Sequence, residues 1–167
     1  MSKPKTVLPI IEITSNMGWS DDSDDIAYNT CITTPHPFSH EKLWREDNVY
    51  DLFITTSHNT DPIIPECGSA IFIHQMNEAM TPTAGCLALK FEDLLNLVET
   101  ATLDTYWVVG DDLGYVHSAW ITRSWNRMPG ASSLYGRQNF TKCGFTPSKF
   151  KKFFSANVCW TLARAGG

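Results

Sequence analysis

An apolar run ending in a histidine, followed after a short polar loop by Ala84-Gly85-Cys86, constrains this chain more than any other feature. Gly68-Ser69-Ala70-Ile71-Phe72-Ile73-His74 has apolar residues at odd and even positions alike, so Ser69 to His74 reads as a central strand. Gln75 to Pro82 is polar and reads as a loop that forms one wall of a cleft. Thr83-Ala84-Gly85-Cys86-Leu87-Ala88-Leu89 then sets a thiol behind two small residues and directly ahead of an expected helix. A thiol is a weak nucleophile until an imidazole takes its proton. Gly85 leaves room for a carbonyl to approach, and a helix starting at Cys86 would aim N–H groups and a positive dipole end at developing charge. Each residue also has a plainer reading. A lone cysteine often serves as a small buried hydrophobe, and a histidine beside an apolar strand often satisfies its ring nitrogens within the core.

The rest of the chain reads as short β-rich runs around one clear helix. Val7 to Ile13 is a strand or extended entry, with Pro9 favouring a sheet edge. Asn16 to Asn29 is a polar loop, packed down by Trp19 and Tyr28. Its acids Asp21, Asp22, Asp24 and Asp25 lack the alternating ligands and glycine of a calcium loop, so they read as a solvated turn. Ser39 is placed to cap a short helix over Glu41 to Asp47, which leaves His40 and Glu41 at a surface helix start. Tyr50 to Thr56 alternates as a strand, and His58 and Asn59 fall near the expected cleft mouth. Phe91 to Thr100 carries Leu94, Leu95, Leu97 and Val98 on one helical face. Tyr106 to Val109 is the last clear strand. Beyond Gly110 no period is sustained. Lys149 to Phe154 reads as a short amphipathic helix, and Tyr115-Val116 and Ala119-Trp120-Ile121 are pieces able to cover a sheet edge. The fold class is therefore mixed α/β and mainly β, with a helix following the cysteine.

His74 together with Thr83-Ala84-Gly85-Cys86 resembles the signature of the L,D-transpeptidase catalytic domain, the YkuD family. Gly18-Trp19-Ser20-Asp21-Asp22 with Tyr28-Asn29, and Ser39 to Arg45 followed by Tyr50-Asp51, are similar to blocks in a bacterial subgroup of that family. The resemblance spans about residues 6 to 109, so it implies a partial catalytic domain over 1–109 and a C-terminal appendage over 110–167. It implies a β-sandwich core whose further N-terminal strands precede the part matched here. It implies that Cys86 attacks peptidoglycan stem peptides to form an acyl-enzyme, with His74 as base and then acid. The backbone carbonyl of Gln75 would orient the ring. Backbone N–H groups of Gly85 and Cys86 would hold the oxyanion, and Ser69, Thr83 and Ala84 would contact substrate. No cofactor and no metal is implied. The implied location is the cell envelope or periplasm.

Composition excludes several other classes. The 167 residues are 43% hydrophobic, enough for the core of one domain. A net charge of −5 without a basic run argues against nucleic acid, whose phosphates demand a positive face. No apolar run reaches membrane-spanning length, and Met1-Ser2-Lys3-Pro4-Lys5 is followed by no signal-peptide core. Five cysteines without a Cys-x-x-Cys pair fit neither a full disulfide framework nor a zinc ribbon, so a free thiol is expected. Two other classes stay open. One is a catalytically silent wall-binding module. The other is a zinc site using Cys67, His74 and Cys86.

Overall fold

The chain, described here from a computed structural model, is defined at residues 2–81, 83–103, 105–109 and 151–161, with backbone alone at 106–109 and 151–156. In chain order the elements are β1 (Ile10–Glu12), β2 (Met17–Ser20), β3 (Cys31–Thr33), β4 (His40–Lys42), β5 (Leu52–Thr56), β6 (Phe72–Gln75), β7 (Leu87–Leu89), α1 (Phe91–Thr100), β8 (Tyr106–Val109) and β9 (Lys151–Trp160). Among the described residues they form a mainly β arrangement with two sheets and one short helix. The larger sheet runs β1-β9-β5-β6-β7, and β8 pairs with β9. β1 is parallel to β9 and β6 to β7, and the remaining pairs are antiparallel. The smaller sheet is the antiparallel set β3-β2-β4.

The large sheet is buried on both faces, and period 2 decides which residue goes where. Leu52, Ile54, Ile73, Val158 and Trp160 join Leu94, Leu97 and Val98 of α1 in one core cluster. Their alternates Phe53, Phe72 and Cys159 join Ile13, Leu43 and Tyr50 in a second cluster, with Trp19 and Cys86 packed against it. One face thus meets the helix and the other meets the small sheet. Phe72 anchors the second interface through its ring, 4.7 Å from Phe53 and edge-on to Trp19 at 5.1 Å. A register shift between Ile54 and Thr56 leaves the hydroxyl of Thr55 to accept from the Asn157 N–H at 3.0 Å, so the irregularity keeps its hydrogen bond.

Helix α1 forms where its periodic apolar face requires. Lys90 gives it no side-chain cap, while Glu92 and Asp93 in the first turn complement the dipole. The helix does not begin at the cysteine: β7 intervenes, so Cys86 directly precedes a strand. The expected helix over Glu41 to Asp47 is also absent. His40–Lys42 pairs with β2 instead, and Arg45 then ties the following turn to Asp47. The β-ladder outbid a local cap, since Ser39 had no long apolar face behind it. Within Asn16 to Asn29, Met17–Ser20 is a strand, not loop. Lys149 to Phe154 was expected to be helical, but from Lys151 the chain is strand, and it pairs β1, β5 and β8. Residues 151–160 of the expected appendage therefore belong to the large sheet. The pieces at 115–116 and 119–121 lie outside the described residues. β1 ends the strand order, as Pro9 suggested. No helix among the described residues is long and apolar enough to cross a membrane.

Leu94 is fully buried between α1 and the sheet. Leu94→Ala is expected to cost about 2–5 kcal/mol, read from denaturant unfolding midpoints.

Candidate functional site

The site begins with a buried asparagine. Asn29 sits in the left-handed region at φ 57, which its residue type tolerates. Its Nδ2 donates to the carbonyls of His58 at 3.0 Å and Asn59 at 2.8 Å. Its Oδ1 accepts from Trp19 Nε1 at 3.0 Å and from the Ala70 N–H at 3.1 Å. Ala70 is held at φ 54, a conformation costing an alanine about 1–3 kcal/mol unless its surroundings impose it. The expected strand from Ser69 is broken here, and regular pairing starts at Phe72.

Ala70 and Phe72 together hold the cysteine. Cys86 Sγ donates to the Ala70 carbonyl at 3.1 Å and accepts from the Phe72 N–H at 3.4 Å. Thr83 shapes the turn before it: its hydroxyl donates to the Cys86 carbonyl at 2.6 Å and accepts from the Gly85 N–H at 3.4 Å. Gly85 has φ 134, where a side chain would be strained.

β6 and β7 run parallel with Ile73 opposite Leu87 and His74 opposite Ala88. That register puts His74 and Cys86 on one face of the sheet, as diagonal neighbours. Ordinary sheet spacings place such Cα atoms about 8 Å apart. Both side chains line one cleft of about 510 Å³ between the large sheet and the β2–β4 side of the molecule. His74 Nδ1 lies 2.7 Å from the Gln75 carbonyl, which fixes the ring with Nδ1 as donor and leaves Nε2 as the acceptor. Tyr50 packs edge-on against the ring at 5.4 Å. The thiol and the imidazole do not hydrogen-bond each other, since the sulphur's partners are Ala70 and Phe72.

Electrostatics keep both groups neutral. Burial pushes the Cys86 thiol up to about 11, against the opposing Phe72 N–H. Burial also lowers His74 below its ordinary 6.5, while the Gln75 carbonyl works the other way. Tyr50 is raised by burial and by neighbouring Cys86 and Glu41, so it keeps its proton. Arg45 forms a two-pronged pair with Asp47, at 2.9 and 2.6 Å, and reaches Glu41 at 3.1 Å. Its guanidinium lies 5.5 Å from the Tyr50 ring centre. Glu41, Arg45, Asp47 and Tyr50 thus form a charged and aromatic wall opposite the sulphur.

Of the residues singled out in the sequence, Cys86, His74, Ser69, Thr83 and Ala84 line this cleft. Ser69 spends its hydroxyl on the Ser20 carbonyl at 2.6 Å, and Thr83 spends its own on the turn. His58 and Asn59 serve the loop instead of the cleft mouth. His58 Nε2 lies 2.9 Å from the Cys67 carbonyl, and Asn59 Nδ2 donates to Ile64 and Gly68. The helix dipole expected at Cys86 is absent because a strand follows it. Cys67 is disulfide-bonded, so the zinc set of Cys67, His74 and Cys86 is not available. Among the described residues no group of three potential ligands is placed to hold a metal. Sequence reasoning missed the cleft roles of Asn29, Tyr50 and Arg45. Only their place inside the quoted blocks could have flagged them. Comparison with protein-family models, curated proteins and solved structures gives no match to this chain.

Asp25 secures the loop beside the cleft. It accepts from Ser20 Oγ at 2.6 Å and from the Ala27 N–H at 2.9 Å, and it pairs with His36 Nε2 at 2.6 Å. Those donors, Ser20 first, hold its carboxyl at about 2 against an ordinary 3.8. Its contribution to stability is therefore complete above about pH 3.8 and lost as pH falls through about 2. Asp25→Asn is expected to lower the melting temperature at neutral pH, and the gap to wild type should close toward pH 2 in thermal melts.

Proposed function

We propose that the chain is a cysteine-dependent acyltransferase of the L,D-transpeptidase kind, acting on peptidoglycan stem peptides in the cell envelope, with the β-sandwich fold of that family. The observation that carries the reading is the fixed tautomer of His74: the Gln75 carbonyl takes Nδ1 and leaves a basic Nε2 in the same cleft as Cys86.

The chemistry follows from the neutral pair. With the thiol pushed up to about 11 and the imidazole lowered below its ordinary value, prior ion-pair formation is costly. Proton removal therefore accompanies attack. Sγ bonds to the peptide carbonyl carbon as its proton passes to His74 Nε2. The C–N bond to the terminal residue breaks, and the leaving amine takes that proton. An acceptor amine then attacks the thioester, gives its proton to His74, and the thiol is restored as the new peptide bond forms. The N–H groups of Gly85 and Cys86 are the oxyanion donors in this scheme, with Gly85 giving up its long contact to Thr83, and no helix dipole assists them. Thr83 and Ser69 act by shaping the walls, and Ala84 by leaving space.

A second reading is favoured by one observation. The sulphur is buried and bonded to backbone, not to the imidazole, which also suits a catalytically silent wall-binding module.

Incubation with a carbapenem followed by intact-mass measurement separates the two. Acylation should add one whole carbapenem to the wild type and none to Cys86→Ala. His74→Ala should slow it about 10²–10⁴-fold. No adduct on the wild type would leave the binding module as the reading. The rate should rise with pH through an apparent pKa below 6.5, as His74 loses its proton, and stay level through neutrality. An acid limb centred above pH 7 would remove His74 from the base role.

A further inference from the structure

We propose that Asn29 is a positioning residue for the cysteine: by fixing Ala70, it makes the Ala70 carbonyl the resting holder of the Cys86 proton. The kinetic consequence rests on the acyl-transfer reading above, but the state of the thiol does not.

Asn29 has two amide donors and a two-lone-pair acceptor, and all of that capacity is taken up by the four contacts at 2.8 to 3.1 Å. These contacts join β2, the segment after β5 and the segment before β6, and Asn29 itself is buried. The last of them grips the N–H of Ala70, a residue in a backbone conformation it would not choose alone. The carbonyl on the other side of the same residue is the one that accepts from Sγ at 3.1 Å. One amide side chain therefore sets the direction of the oxygen that holds the thiol proton. A carbonyl acceptor favours the thiol over the thiolate. Attack requires the proton to leave Ala70 for His74 Nε2, so the firmness of this grip tunes how readily the sulphur is released. The titratable groups facing the sulphur are Glu41 from β4, Tyr50 ahead of β5 and His74 from β6, with Arg45 and Asp47 on the same wall. None of these side chains hydrogen-bonds Asn29, whose four partners are Trp19, His58, Asn59 and Ala70.

The test compares wild type, Asn29→Ala and Asn29→Ser, with Ala70→Gly as a control, in the full chain. Iodoacetamide labelling is followed against pH, with mass mapping of each cysteine. Cys159 is a free, buried thiol in the same core cluster, and it reports any general loosening. Loss of the grip should lower the apparent pKa of Cys86 and raise its labelling near neutrality about tenfold, which corresponds to one unit. Cys159 should stay protected. Ala70→Gly keeps the N–H that Asn29 grips and suits the positive φ, so it should leave Cys86 labelling near wild type. If Asn29→Ala does not fold, Asn29→Ser, too short to span the same contacts, is read in its place. Unchanged Cys86 labelling in the Asn29 variant that folds, or Cys86 and Cys159 rising by the same factor, overturns the proposal. Carbapenem acylation, measured in parallel, should fall relative to iodoacetamide labelling in the Asn29 variants. A wild type that carbapenem never acylates, with the iodoacetamide shifts as expected, would overturn acyl transfer and leave the positioning of the thiol standing.

Discussion

The amide of Asn29 is the contact on which the arrangement of the cleft depends. Two stretches of irregular chain, 58–59 and 70, converge there with Trp19 of β2, and neither stretch has a β-ladder of its own at that point. Buried backbone groups outside regular structure need partners, and a single side chain supplies them for His58, Asn59 and Ala70. Each neighbour inherits its place from it. Trp19 is fixed through its indole nitrogen and then packs on Phe72, while Ala70 is fixed through its N–H and faces the cysteine. Packing and chemistry here share one origin.

The two-faced sheet explains why a polar cleft survives beside so much apolar surface. The α1 side is sealed by aliphatic residues. The other side is aromatic, and there His74 of β6 and Cys86, just ahead of β7, open onto the cleft. Burial there is deep enough to keep both groups neutral, yet open enough that Tyr50, Glu41 and Arg45 meet them across about 510 Å³ of space. The low-dielectric setting strengthens whatever charge develops during a reaction, and it penalises charge at rest.

What the sequence made legible was whatever rests on local period or local chemistry. Helix α1 stands at Phe91–Thr100, where the repeat of Leu94, Leu97 and Val98 placed it, and β8 covers the expected Tyr106–Val109. The contact of His74 Nδ1 with the Gln75 carbonyl is local, and it is present. The failures were all cases where a distant partner decided. His40–Lys42 becomes strand because β2 lies beside it, and Lys151–Phe154 becomes strand because β8 does. Strand β7 follows Cys86 because β6 offers a parallel edge. Asn29 was invisible for the same reason: its partners lie 10 to 41 residues away, and nothing in its own neighbourhood announces them.

The place of β9 governs the order in which this molecule can be made. Ile10 pairs with Val158, and Leu52 with Trp160, so two strands wait for a third that lies more than a hundred residues further along. A ribosome adding about 5–20 residues per second leaves those edges open for several seconds or longer. During that time β5 and β6, whose pairing needs no later residue, present an unpaired margin that other chains can join if they form early. The topology thus makes folding slow by its contact order, and it hands the early sheet to whatever holds unfinished chains apart.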